Sequence, residues 1–292
     1  MKVGILGGVD AHDVNDPTSL TASTRQRIAD IVAKQPQQKS VRIGIPSEYI
    51  TAELSPVVRK AWIRTIQQLL KMGHTVRSVP IPSTRQALSA YYILAPAEAS
   101  SNLAKYDGVR YGQTDPAQAT SASHEQLFTQ TRQHGFGAEV RRRILLGAYS
   151  LSADAIDNYF MQAQRIRRLL VNDFNNVFAL GNPLESSSPS RTTEHVMHDE
   201  ESKVDVLICP TAPTLPPTLD EVKAQPPLEA YAGDVFTVPA SLAGLPAISI
   251  PVRPANIGDL PDGVGSIGMQ LITQYGNDEA CLEYAAILEK EL

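Results

Sequence analysis

Between Val41 and Ile81 the chain carries a pattern that few folds can use. Val41-Arg42-Ile43-Gly44-Ile45-Pro46 alternates as a half-buried strand does. Ser55 then stands where a helix N-cap belongs, with Pro56 at the first helical position, where its missing N–H does no harm. Val58, Trp62, Ile66, Leu69 and Leu70 follow along one helical face, and Gly73 ends the run. His74 to Ile81 reads as a second strand. Strand, helix and strand within about 40 residues make a crossover unit, which joins parallel neighbours and needs helices packed on its sheet. The predicted class is therefore α/β.

The rest of the chain supplies further strands and helices. Val204 to Cys209 is a buried-strand candidate, and the Pro-rich stretch from Pro210 to Pro217 leaves its C-terminal end, where ligands gather in open α/β sheets. Ala247 to Val252 and Ile267 to Ile272 read as the last strands. The longest predicted helix runs from about Ala153 to Phe178, with Ile156, Tyr159, Phe160, Ala163, Ile166, Leu170, Phe174 and Val177 as one buried stripe. Ser83 with Gln86, and Ser123 with Gln126, fit capping boxes that start two more helices. Asn277 or Asp278 caps a final helix with Leu282, Ala285, Ala286 and Leu288 inward. A polar helix is expected to end near Lys34, followed by a linker from Gln35 to Lys39, and Gln113 to Ala122 reads as a polar loop.

Composition narrows the function classes. A net charge of −5 and a pI of about 5.7 argue against a broad, self-sufficient nucleic-acid surface. Two cysteines, Cys209 and Cys281, make neither a disulfide framework nor a metal spacing, which fits a reducing compartment. No apolar run is long enough to span a bilayer as a helix. The first residues, Met1 to Gly8, have a short apolar run broken by glycine, unlike a signal peptide, and lack the Arg-rich look of a transit peptide. Their glycines do not fit a dinucleotide fingerprint. His195 and His198 are spaced like metal ligands, but they sit in a Ser-, Thr- and Pro-rich stretch from Gly181 to Lys203 that reads as a surface insertion. His124-Glu125 is followed by Phe128 where a zinc-protease motif needs histidine.

The stretch from Ser89 to Gly112 is harder to class. Tyr91, Tyr92 and Ile93 lead into small residues, Ala95, Ala97, Ala99, Ser100 and Ser101, which let another backbone approach closely. It closes on Tyr106-Asp107-Gly108-Val109-Arg110-Tyr111-Gly112, where Gly108 and Gly112 permit turns that other residues resist. On composition alone this is a small-residue helix and a structural turn. Taken with three further blocks, it resembles the amidase signature family. Those blocks are Gly135 to Ile144, Cys209 to Thr214, and Asp234 to Ala240 with Leu242 to Ala247. They stand in the family's order and cover most of the chain from Val41 onward. No block is specific alone; together they are.

The resemblance implies a mixed sheet flanked by helices and a single partial amidase domain. Residues 1–40 would be an N-terminal remnant and linker, and residues 41–292 the body. It also implies amide hydrolysis by a lysine and two serines, the Ser-Lys variant of nucleophile–base catalysis. The Gly- and Ser-rich signature that carries both serines is absent from the 18 glycines here, so no catalytic residue is assigned. Within the family the chain is most similar to glutamine-hydrolysing subunits of tRNA-dependent amidotransferases. In those, Arg143 would pair with the α-carboxylate of glutamine, Asp234 would hold the α-ammonium, and Tyr91, with Tyr92 beside it, would line the pocket. The ammonia would pass to a partner, the B subunit, that uses ATP and Mg, with a small third subunit completing the assembly and the tRNA held mainly by partners. No cofactor is expected in this chain itself. The insertion after Leu180 and the Leu215-Pro216-Pro217 region resemble fungal forms, which work in mitochondria.

Two alternatives stay open: another amidase signature hydrolase, or a non-catalytic truncated chain. Residue by residue, simpler roles also remain. Arg141, Arg142 and Arg143 spread over about 200° of a helix, the usual look of a solvated face. Asp234 could cap or end a short helix from Leu228.

Overall fold

A computed structural model describes residues 21–33, 40–113, 124–185, 202–224, 231–253, 260 and 263–291. In chain order they form α1 (Ala22–Ala33), β1 (Arg42–Pro46), α2 (Pro56–Lys71), β2 (Thr75–Val79), α3 (Thr84–Asn102), α4 (His124–Gly135), α5 (Ala138–Ser150) and α6 (Phe160–Val177). Then come β3 (Val206–Pro210), α7 (Leu219–Ala224), α8 (Val238–Ala243), β4 (Ala247–Val252), β5 (Ile267–Ile272) and α9 (Asp278–Glu291). The chain divides into two compact units, one of Met1–Arg85 with Leu170–Leu292, the other of Gln86–Leu169.

The larger unit is built on a sheet with strand order β2-β1-β3-β5-β4. β1 runs parallel to β2 and to β3, whereas β5 is antiparallel to both β3 and β4. The crossover predicted between Val41 and Ile81 is present, and the sheet is mixed. Its centre is dry: Leu207, Ile208 and Cys209 on β3 and Met269, Leu271 and Ile272 on β5 have no exposed surface. β1 meets β3 closely at Gly44, where an added Cβ would stand 2.6 Å from Leu207 Cδ2. One end of the β1–β3 seam is pinned by Asp205. Its Oδ1 accepts from Arg42 Nη2 at 2.6 Å, and its Oδ2 accepts the Arg42 backbone N–H at 2.9 Å.

Helix α2 buries Val58, Ala61, Trp62, Thr65 and Leu69. Leu70, expected on that face, points outward at 51% exposure, because Leu69 already fills the buried side of the last turn. Ser55 is at the predicted N-cap position, but its side chain makes no capping bond; its N–H instead donates to Pro213 O at 2.8 Å. Gly73, with φ +88°, takes the left-handed conformation that ends the helix. The predicted Ser83–Gln86 box is replaced by a carboxylate from elsewhere: Asp173 Oδ2 accepts the Ser83 N–H at 2.8 Å, beside the first turn of α3. Ser123 lies outside the described residues, as do the Gln35–Lys39 linker, most of the Gln113–Ala122 loop, His195, His198 and most of the Gly181–Lys203 insertion.

The helix expected from Ala153 begins only at Phe160. Residues 151–159 form successive turns, with Ser152 O accepting the N–H of Ala155 and Ile156, and Ala155 O those of Asn158 and Tyr159. Ser152, Asp154, Asp157 and Asn158 explain this, since short polar side chains favour turns over helix interiors. The stripe survives at Ala163, Leu170, Phe174 and Val177, but Tyr159 is 44% exposed. In α9 the buried residues are Cys281, Ala285 and Leu288, while Ala286 faces outward.

In the smaller unit, the small residues of α3 do admit another backbone. An added Cβ at Gly147 of α5 would lie 2.1 Å from Pro96 O and 2.9 Å from Ser100 Cβ. The turn that follows α3 is closed by Gly108 N–H donating to Tyr111 O at 2.9 Å, with Gly108 and Gly112 at φ +86° and +90°. Lys105 lies over the rings of Tyr106 and Tyr111.

Candidate functional site

In the larger unit, the segment carrying Asp234 is held by its neighbours in sequence and by the sheet. Asp234 O accepts the N–H groups of Thr237 at 3.1 Å and Val238 at 3.0 Å, so the turn opens directly into α8. The side chain of Asp234 is exposed, whereas Phe236, two residues on, is fully buried. The Phe236 ring stacks on Tyr49 with centroids 5.0 Å apart and planes 17° from parallel. Its carbonyl accepts from Gln270 Nε2 at 3.0 Å, and the same amide reaches Cys209 Sγ at 3.3 Å. Gln270 sits in the middle of β5, 4% exposed. A buried amide is costly unless it is hydrogen-bonded, and here it ties β5 to β3 and to the turn bearing Asp234.

Burial pushes the Cys209 thiol up to about 12, with the Gln270 bond acting weakly the other way. The thiol is therefore neutral and enclosed, the opposite of an activated nucleophile. Burial likewise raises Tyr49 well above the ordinary phenol range, which keeps its hydroxyl protonated. Just past the end of β3, Thr211 Oγ1 lies 2.6 Å from Ser249 Oγ of β4, and Gly268 leaves them room. Each hydroxyl is bonded to the other rather than to a general base, so the pair is not read as a nucleophile.

In the smaller unit, Arg143 is on α5 and Tyr91 on α3, the two helices that meet at Gly147 and Pro96. Arg143 Nη2 lies 3.5 Å from Glu139 Oε1, and Arg142 pairs with the other oxygen of the same carboxylate. The side chain of Arg143 is 45% exposed. Arg141 and Arg142 are exposed too, so exposure alone does not distinguish Arg143. Tyr91 is half-buried and packs edge-on against Tyr92 at 5.3 Å. The family resemblance points to Tyr91, Arg143 and Asp234 but not to Gln270 or Tyr49. Gln270 does leave a signal: one amide inside the apolar strand Ile-Gly-Met-Gln-Leu-Ile. Tyr49 leaves none. Among the described residues no cluster of His, Cys, Asp and Glu could hold a metal ion, and no helix is long and apolar enough to cross a membrane.

Residues 5–282 match the family model described as Amidase. The chain belongs to the amidase family. Among relatives of this chain, the A subunit of mitochondrial glutamyl-tRNA(Gln) amidotransferase from Coccidioides posadasii is 51% identical over 290 residues, which are 98% of this chain and 57% of the relative. The protein of the same name from Ajellomyces capsulatus is 47% identical, covering 98% of this chain and 61% of its own length. The chain thus spans about 57–61% of the length of these curated relatives. The crystal structure of the A subunit of glutamyl-tRNA(Gln) amidotransferase from Thermotoga maritima superimposes with a TM-score of 0.56 at 26% identity, over 86% of this chain and 43% of that one. A 6-aminohexanoate cyclic dimer hydrolase gives a TM-score of 0.61 at 17% identity over 98% of this chain, and shares the fold alone.

Proposed function

We propose that this amidase-family chain is the glutamine-binding part of the A subunit of a glutamyl-tRNA(Gln) amidotransferase. The observation that carries the reading is the 51% identity to a protein of that name across 98% of the chain. In this reading Arg143 clasps the α-carboxylate of glutamine through its fork of donors, Asp234 pairs with the α-ammonium, and Tyr91 lines the pocket. An acid and a base at the two ends of a free amino acid select it over a plain amide. The ammonia released goes to the partner B subunit, which consumes ATP with Mg to convert Glu-tRNA(Gln) to Gln-tRNA(Gln), and a small third subunit joins them. The partners carry most of the tRNA contact, in keeping with the net charge of −5. The fungal relatives are named mitochondrial, which supports the same compartment here.

The 292 residues hold no Gly-Ser-rich signature, so in this reading the nucleophile and its lysine lie in polypeptide outside this sequence. That same absence favours a second reading, a non-catalytic chain that keeps only the binding half. The intact mass of the endogenous protein separates the two: a product heavier than 31.7 kDa that carries the signature supports the enzyme, and one of 31.7 kDa supports the remnant. For the heavier product assembled with its partners, glutamine-dependent ammonia release and Gln-tRNA(Gln) formation test the substrate. Faster hydrolysis of simple aliphatic amides than of glutamine would overturn the assignment.

A further inference from the structure

We infer that Gln270 is a positioning residue for Asp234, acting through the carbonyl of Phe236. The inference rests on the reading of Asp234 as the group that holds the α-ammonium. Three contacts carry it. The Gln270 amide donates to Phe236 O at 3.0 Å from within β5, so the turn is referenced to the rigid centre of the sheet. Tyr49, which ends the short 3-10 helix after β1, stacks on the Phe236 ring with centroids 5.0 Å apart. Asp234 O then accepts from Thr237 and Val238, so the position of Phe236 passes to the Asp234 backbone within one turn. An exposed carboxylate on an untethered surface turn samples many positions. A carboxylate that must meet one ammonium in a fixed geometry cannot. The strand residue is an amide because a side-chain donor of that length bridges β5 to the Phe236 carbonyl while also reaching the Cys209 sulfur at 3.3 Å.

The test uses the full chain and three forms: wild type, Gln270→Met, which keeps volume but removes the donor, and Asp234→Asn. Amide hydrogen exchange reads the positioning. The Thr237 and Val238 amides in Gln270→Met are expected to exchange about tenfold faster, while those of β3 and β5 keep their protection. Unchanged exchange at Thr237 and Val238 overturns the inference, and so does an equal loss across the sheet, which would mark Gln270 as a general core residue. Glutamine titration followed by amide shifts reads the consequence. Weaker binding by about tenfold in Gln270→Met, and by more in Asp234→Asn, supports the proposal. Glutamine binding equal in wild type and Asp234→Asn, or absent in wild type, overturns the ammonium role of Asp234. In that case a local exchange change in Gln270→Met would still stand, so the two failures are told apart.

Discussion

At Gly147 a single methyl group decides whether two helices can touch. The added carbon would lie 2.1 Å from the carbonyl oxygen of Pro96, a backbone atom that has no side-chain rotation to escape by. Gly147→Ala is therefore expected to destabilise the smaller unit by about 1–3 kcal/mol, measured by urea denaturation. The cysteines make a second case. The Cys209 thiol, near 9 in an unfolded chain, stands at about 12 when folded. Both states keep the proton below pH 9, so nothing is lost there. Between about pH 9 and 12 only the unfolded chain ionises, so stability falls as pH rises through that window. Replacing Cys209 by Ala should lessen the alkaline loss in denaturation curves, even though the variant is less stable at neutral pH. Cys281, raised by burial to about 11, acts in the same direction. Neither thiol of the native chain should react with a thiol reagent at neutral pH, and both should react once the chain is unfolded.

Helices here are fixed as much by distant side chains as by their own sequence. Asp173 of α6 accepts the Ser83 N–H at the start of α3. Asp173→Ala is expected to cost about 1 kcal/mol, seen in thermal or denaturant unfolding. The sequence marks the start of α3 correctly but points to Gln86 as the partner, because a capping box is a local pattern and Asp173 is 90 residues away. The same limit explains Ser55, whose N–H is satisfied by Pro213 O across the fold. Periodicity serves well where one face is dry, as at β3 and β5, and less well where burial stops part-way, as at Leu70, Tyr159 and Ala286. The start of α6 is misplaced by periodicity because the apolar spacing of Ile156 and Tyr159 outvotes the turn chemistry of Ser152, Asp154 and Asn158. At the candidate site, Arg143 and Asp234 are legible only through family resemblance; neither spacing nor exposure separates Arg143 from Arg142. The seam between β1 and β3 depends on Asp205, which accepts from Arg42 through both oxygens and only partly in solvent. Asp205→Ala should lower stability by roughly 2 kcal/mol, a larger effect than for an exposed surface pair, and the loss is read from the denaturation midpoint.

The molecule leaves large apolar side chains in water. In the smaller unit Leu145 is 70% exposed, with Leu146, Tyr149 and Tyr159 also outward. A patch of this kind predicts self-association of the isolated chain, rising with concentration in sedimentation velocity and reduced by Leu145→Lys with Tyr149→Lys. A cooperative, monomeric melt at high concentration would count against it. The larger unit, meanwhile, is assembled from two stretches that the smaller unit separates. Arg42 and Asp205, the pair that pins its central seam, are 163 residues apart. On a ribosome this distance becomes a waiting time. At roughly 5–20 residues per second, β3 is synthesised about 8–30 seconds after β1. Throughout that interval one side of β1 is a row of bare backbone donors and acceptors, and whatever shields it in the cell sets the yield of folded protein before any stability does.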